Sequence, residues 1–418
     1  MYDQSFNYVS LSKMLKKSDF LENKPLKSLA LKEKELETAV ARVTTGFSAY
    51  NFLACNEVRG KNVYRIQSFS DELILRKIDR NLRKAIPLQA ASRDTIISNI
   101  KNLISEGVQY KIYRLDIKSF YESFNTLLVI NEINAIKKLS PLTKTFIKDI
   151  LENFALTGGS GLPRGLSLSA TLSEILMASF DRKISTMPMV FYYSRYVDDI
   201  IILTSGEEIA KQFIKKIGKF LPGGLHLNKK KEALCEAPDS KEFKPTAHNP
   251  TNPPLLEFEY LGYRLSVYEP TKKNDYREVI LDISSSKINK IKTRLTRAII
   301  DYCKNRNFEL LELRLKFLTS NFSVIDINKG SHKLAGIFHN YHRVDFNKSE
   351  ALCMLDEYLH RAVFSSHGTI FNDFYCKTST YQRRRLITFS FSKGFKERIY
   401  VYFSRSQLKI IQECWKYA

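Results

Sequence analysis

Three aspartates stand out as groups that could do chemistry together. Asp116 ends the Ile- and Tyr-rich run YKIYRLD, and Asp198 and Asp199 sit side by side within VFYYSRYVDDIIILT. Carboxylates that converge at one sheet edge offer hard oxygen donors to divalent cations, and two such ions about 3.5–4 Å apart can drive in-line phosphoryl transfer. Adjacent acids at a turn are otherwise ordinary solvated surface. The pattern gains meaning from its neighbours: GLPRG at 161–165, the lysine-rich LHLNKKKEAL at 225–234 and the aromatic FEYLGYRL at 258–265 follow in order.

The elements that must position these groups are legible in part. YKIYRLDIKSFYESF predicts a strand turning into helix, and SLSATLSEILMASFDRKI a strong helix. β-rich flanks on either side of the acidic pair predict a hairpin with Asp198 and Asp199 at its tip. The helix EEIAKQFIKKIGKFL and the strand FEYLGYRLSV complete an α+β unit. Upstream, residues 1 to about 60 predict amphipathic helices, 63–90 one basic helical element and 93–107 a further helix. The prolines and polar residues of about 236–256 mark a loop or insertion. From Ser284 onward the pattern is helical: Ile288, Ile291, Leu295, Ile299 and Tyr302 form an apolar stripe, with Lys290, Arg294 and Arg297 on another face. The last forty residues interleave Arg and Lys with Tyr and Phe and hold few acids. This divides the chain into 1–109, 110–283 and 284–418.

With 418 residues, 44% of them hydrophobic and 12% aromatic, the chain exceeds one ordinary core and is too apolar for a disordered scaffold. Its formal charge of +22 points to a polyanionic partner, nucleic acid foremost, with a ribosome-associated or membrane-surface protein as the plainer alternatives. The six cysteines, at 55, 235, 303, 353, 376 and 414, form no Cys-x-x-Cys pair, which argues against a zinc knuckle or a disulfide framework. No apolar leader or membrane span is evident, so a cytoplasmic protein is expected.

Taken together, the motifs resemble those of reverse transcriptases over roughly residues 60 to 266. LDIKSFYESF is similar to the family's motif A, GLPRGLSLSATLSE to motif B, YVDD to motif C, LHLNKKKEAL to motif D and FEYLGYRL to motif E. The resemblance implies a right-hand polymerase fold: N-terminal helices and fingers in 1–109, palm in 110–283, and a helical thumb with a basic extension in 284–418. It implies two Mg²⁺ ions held by Asp116, Asp198 and Asp199, with the Ile117 carbonyl assisting. Tyr121 falls at the steric-gate position that excludes a ribose 2′-hydroxyl, favouring dNTPs over NTPs.

Arg164 stands where the family more often has Gln; with Gly165 it would line the incoming nucleotide. Lys231 matches the motif D lysine, although Lys229 and Lys230 adjoin it. Lys61 and Arg65 resemble a triphosphate clamp, a solvated basic face being the plain alternative. Tyr260, Leu261 and Gly262 resemble the primer grip, and Lys290, Arg294 and Arg297 a thumb helix tracking duplex phosphates. RGLSLSATLSE, FYYSRYVDDIIILT and IQSFSDELILRKIDRNLRKA are similar to bacterial defence-associated reverse transcriptases, closest to a catalytic subunit of the type 3 two-polymerase systems. That branch implies an antiphage role, an RNA template that could be a noncoding RNA, a DNA product and a second reverse-transcriptase subunit or a homo-oligomer. Retron or group II intron-type enzymes, a catalytically silent RNA-binding scaffold and an RNA-dependent RNA polymerase are the rivals.

Overall fold

The computed structural model describes every residue except 1, 23–25, 27, 48–50, 59, 88–90, 241–252, 271–275, 327–330 and 417–418. The chain divides into two compact units, Met1–Ile96 with Val108–Asp239, and Ile97–Gly107 with Ser240–Ala418.

The first unit opens with helices α1 (Tyr8–Ser12), α2 (Lys17–Glu22) and α3 (Leu29–Thr45), followed by an antiparallel hairpin of β1 (Leu53–Val58) and β2 (Lys61–Ile66) and by α4 (Phe69–Ala85). Helix α5 (Arg93–Ile104) carries the chain across the division. After β3 (Tyr110–Asp116) come α6 (Thr126–Ala135), α7 (Pro141–Leu156), α8 (Ser167–Ser185), β4 (Val190–Tyr196), β5 (Asp199–Thr204), α9 (Ala210–Phe220) and β6 (Ala233–Ala237). The four strands form an antiparallel sheet in the order β4-β5-β3-β6.

Side-chain alternation in that sheet decides where the acids go. Tyr113, Leu115 and Ile117 from β3 and its end, with Ile200 and Ile202 of β5, join one core with Leu172, Phe180 and Ile184 of α8 and Phe213 and Ile217 of α9. Each such aliphatic or aromatic side chain contributes roughly 1.5–3 kcal/mol by leaving water. The period of two then turns Arg114, Asp116 and Asp199 to the opposite face. A slip of one residue would bury the acids in the core, so the hydrophobic pattern itself fixes the register.

In the second unit, β7 (Leu256–Tyr260), β8 (Tyr263–Tyr268) and β9 (Glu278–Ile283) make an antiparallel meander. Helices α10 (Ser285–Asn305) and α11 (Phe308–Thr319) lead to a hairpin of β10 (Asn321–Asp326) and β11 (Ser331–Gly336). Five helices follow: α12 (Glu350–Phe364), α13 (Thr369–Cys376), α14 (Thr380–Leu386), α15 (Phe391–Lys396) and α16 (Arg405–Glu413).

Several sequence expectations change. The region read as helical on both sides of residue 60 holds the β1–β2 hairpin, in which Leu53 pairs with Ile66 and Cys55 with Tyr64, and Phe52, Leu53, Tyr64 and Ile66 pack into the core. FEYLGYRLSV is two strands joined by a two-residue turn at Leu261 and Gly262, both at positive φ (46° and 84°), as a tight hairpin of matching twist requires. The segment 284–418, expected to be helical, contains the β10–β11 hairpin as well as helices. Its basic end packs back on the unit: Phe403 and Trp415 pack with Phe317 and Phe322, and the Trp415 indole N–H donates to the Arg294 carbonyl at 2.8 Å. The centre of the Pro-rich insertion, 241–252, lies outside the described residues. Among the described residues no helix is long and apolar enough to cross a membrane.

Candidate active site

Asp116 is the last residue of β3 and lies directly across the ladder from Asp199, the first residue of β5. Opposed side chains of this kind have Cβ atoms roughly 4.5–5.5 Å apart. The Ile117 N–H donates to the Asp198 carbonyl at 3.1 Å, so Asp116, Ile117, Asp198 and Asp199 are brought together by main-chain bonds. Tyr196 pairs with Asp199, leaving Val197 and Asp198 as a two-residue turn. Val197 takes φ +61°, in the region that two-residue turns usually give to Gly or Asn, and for a β-branched residue that is strained.

Motif D closes the other side. The bridge between Ile117 and Leu227, the Lys118 N–H on the His226 carbonyl and the Asn228 N–H on the Asp116 carbonyl set its register. Lys231, rather than Lys229 or Lys230, then reaches the Asp116 carboxylate at 2.7 Å, and the Asn228 side-chain amide donates to its other oxygen at 2.9 Å. That bond raises the Lys231 pKa. Burial, then the Asp198 and Asp116 charges, raise the pKa of Asp199, while Arg114 on the same face lowers it.

The donor set suits a hard divalent cation; burial is the main cause of the raised Asp199 pKa, and the Asp198 and Asp116 charges that add to it are the repulsion such an ion would relieve. Among the described residues no group of three or more His, Cys, Asp and Glu side chains is placed to hold an ion. The backbone converges, and the Asp116 carboxylate accepts from Lys231 and Asn228.

The motif B loop wedges between two backbones. The Leu162 N–H donates to the Tyr121 carbonyl at 2.8 Å, and the Tyr64 N–H of β2 donates to the Arg164 carbonyl at 2.7 Å. A Cβ on Gly165, at φ +107°, would stand 2.5 Å from the Tyr64 carbonyl oxygen, so this approach requires glycine. Arg164 is held in place: its guanidinium bonds Glu122 through two nitrogens, at 2.8 and 3.0 Å, and lies 5.1 Å from the centre of the Tyr121 ring. The Tyr121 ring is half-buried beside Phe120 and burial raises its pKa. Ser169 donates its hydroxyl to the Pro163 carbonyl and Ala170 follows it on α8. Lys61 and Arg65 stand exposed on one side of β2.

The remaining candidates belong to the second unit. Tyr260 is 1% exposed, so its side chain is core, and Leu261 and Gly262 are half-buried. Lys290, Arg294 and Arg297 are half-buried, and the Arg294 guanidinium lies over the Trp415 ring at 5.4 Å. Sequence reasoning passed over Asn228, Glu122, Arg114 and Arg195. A basic residue within a strand, two places before the strained turn, was the available signal for the last.

Residues 61–265 match the family model of reverse transcriptase (RNA-dependent DNA polymerase). No curated protein matches the chain by sequence. Among solved structures, apo telomerase from Candida tropicalis truncated from its C-terminal domain shares 14% identity at a TM-score of 0.34, over 57% of this chain and 58% of that one. Telomerase from Candida albicans in complex with a TWJ fragment of telomeric RNA shares 12% at 0.37, over 90% and 65%. The corresponding Candida tropicalis complex shares 14% at 0.36, over 92% and 68%. The chain thus spans under two thirds of the first two telomerase chains, and likeness at these scores is too loose to assign roles to residues. Reverse transcriptases generally use divalent metal ions. The family match, on an α+β framework consistent with the right-hand polymerase fold, identifies residues 61–265 as a reverse transcriptase domain, the domain of RNA-directed DNA polymerases.

Proposed function

We propose that this chain extends a DNA primer on an RNA template by adding dNTPs in a two-metal phosphoryl transfer. The observation that carries the reading is the register that sets Asp116 opposite Asp199, with the Asp198 carbonyl bonded to the Ile117 N–H. Asp116 and Asp198 would hold both Mg²⁺ ions, with Asp199 completing the set and the Ile117 carbonyl assisting. When bound, the two ions activate the primer 3′-hydroxyl and steady the triphosphate and its leaving group. Tyr121, held by Arg164 and the Leu162 bond, presents a fixed ring against the sugar edge and excludes a 2′-hydroxyl. Lys231 keeps its positive charge beside the carboxylates, suited to neutralising the leaving pyrophosphate. Lys61 and Arg65 meet the triphosphate, the Leu261–Gly262 turn meets the primer, and Lys290 and Arg297 meet duplex phosphates.

The branch resemblance supports a role in bacterial antiphage defence, with a noncoding RNA as template or scaffold and a second reverse-transcriptase subunit as companion. Primer extension by the purified chain, comparing dNTPs with NTPs on an RNA template, tests the polymerase reading. Incorporation of dNTPs that Asp198→Ala abolishes is expected. Failure to extend on any template, with RNA still bound, would establish the silent scaffold in its place. Sequencing the RNA and DNA that copurify with the chain tests the partner.

A further inference from the structure

Arg195 lies on β4, two residues before the turn that carries Asp198, and its side chain is 3% exposed. An arginine has five N–H donors, and here each is used. Nε donates to Asp181 Oδ1 at 2.9 Å; Nη2 donates to Asp181 Oδ2 at 2.9 Å and Glu174 Oε2 at 2.8 Å. Nη1 donates to Glu174 Oε1 at 3.0 Å and to the Val197 main-chain carbonyl at 2.9 Å. Glu174 and Asp181 are seven residues apart on α8, two turns along one helical face. The Tyr193 hydroxyl, from the same side of β4, adds a bond to Asp181 at 2.5 Å. Burial disfavours the guanidinium charge, but the bonds to Asp181 and Glu174 outweigh it and raise its pKa, so the group stays charged.

A buried ion cluster of this kind is poor evidence for stability, because desolvation consumes what the pairing gains, whereas it can fix a geometry. The geometry fixed here is unusual. Val197 holds a positive φ that a β-branched residue resists, a conformation that lasts only where its surroundings impose it. The one donor that Arg195 does not give to a carboxylate goes to that residue's carbonyl. Helix α8 also begins where the motif B loop ends, so one rigid element supports both the nucleotide-side loop and the acidic turn.

We propose that Arg195, clamped by Glu174 and Asp181, is a positioning residue that holds the Val197 peptide in its strained state and thereby sets the Asp198–Asp199 turn for metal binding. The inference rests on reading Asp198 and Asp199 as metal ligands, and its test separates the two. Mn²⁺ binding, measured by electron paramagnetic resonance on the full chain without nucleotide, is compared for the parent, Asp198→Ala, Arg195→Lys, Val197→Gly and the Arg195→Lys/Val197→Gly double variant. Melting temperature and the kcat and KM for dNTP are measured alongside.

Lysine keeps the charge but loses the five-donor fork. Arg195→Lys is expected to weaken Mn²⁺ about tenfold and to lower kcat by a similar factor, with KM for dNTP within about twofold. Glycine adopts the positive φ without support, so the Mn²⁺ loss on Arg195→Lys should shrink by about fivefold in the Val197→Gly background, a coupling that mere loss of packing would not produce. Should Arg195→Lys prove unfolded, Glu174→Gln, which leaves the fork in place and weakens one clamp, is expected to shift Mn²⁺ binding in the same direction by about threefold. Parent-like Mn²⁺ affinity in the Arg195 and Glu174 variants, with binding lost in Asp198→Ala, overturns the positioning role alone. So does an Arg195→Lys loss of equal size in both Val197 backgrounds. Parent-like affinity in Asp198→Ala overturns the metal reading and the inference with it.

Discussion

Two cations flank the same acidic edge, and they are built for opposite purposes. Lys231 is 58% exposed and gives a single bond to Asp116 from the end of a flexible stem. Arg195 is buried and spends every donor on α8 and on the turn. Both pair with carboxylates at 2.7–3.0 Å, so distance alone does not distinguish them. What differs is the cost of letting go: a solvated ammonium can leave its partner for about 0–1 kcal/mol, whereas breaking a buried ion cluster costs roughly 3–5 kcal/mol. The exposed pair is therefore replaceable by another cation, and the buried one is scaffold.

That contrast can be broken most sharply at the carboxylates. Asp198→Ala should cut primer extension by at least about a thousandfold with little change in melting temperature, since on the proposed reading an ion-binding oxygen is lost while no packing is removed. Arg195→Leu should show the reverse emphasis: a stability loss of roughly 3–5 kcal/mol in denaturant titration, because Glu174 and Asp181 are left without their cation. Lys231→Met should lower kcat about 10–100-fold while stability stays within about 0.5 kcal/mol, and a stability loss as large as that of Arg195→Leu would erase the distinction. Tyr121→Ala should narrow the preference for dNTPs over NTPs by about tenfold or more, read from competitive incorporation.

The smallest effect is one of pH. The Asp199 pKa is raised in the fold, so its ionisation opposes folding above the ordinary carboxylate range. Asp199→Asn should then raise the melting temperature of the metal-free protein slightly at neutral pH. The advantage should fade as acid protonates the parent, and should vanish on adding Mg²⁺.

What was legible in the sequence was whatever depends on near neighbours. Strand β3, the hairpin around the acidic pair and helix α8 followed from alternation and helical spacing, and the order of the motifs placed Asp116 with Asp198 and Asp199. Long-range packing was not legible. Phe317, Phe322, Phe403 and Trp415 come together from α11, β10 and the end of the chain, and nothing local in a run of Arg, Lys, Tyr and Phe separates such a core from an open basic surface. The β1–β2 hairpin was hidden because its edges are polar and its buried side chains few. Arg195 was missed for a related reason: the seven-residue spacing of Glu174 and Asp181 is visible, but which side of α8 the strand presents is decided by Tyr193 and Phe180 packing.

The bond from the Tyr64 amide to the Arg164 carbonyl stitches hairpin β1–β2 to the loop after Gly161 at one main-chain point. Any swing of the hairpin must either drag that loop along or unpick the stitch. Lys61 and Arg65 therefore travel with the backbone that braces Tyr121, and on the proposed reading a triphosphate held by the two basic groups would be felt mechanically at the sugar. Proline at position 64, which has no amide hydrogen to give, would uncouple the two movements.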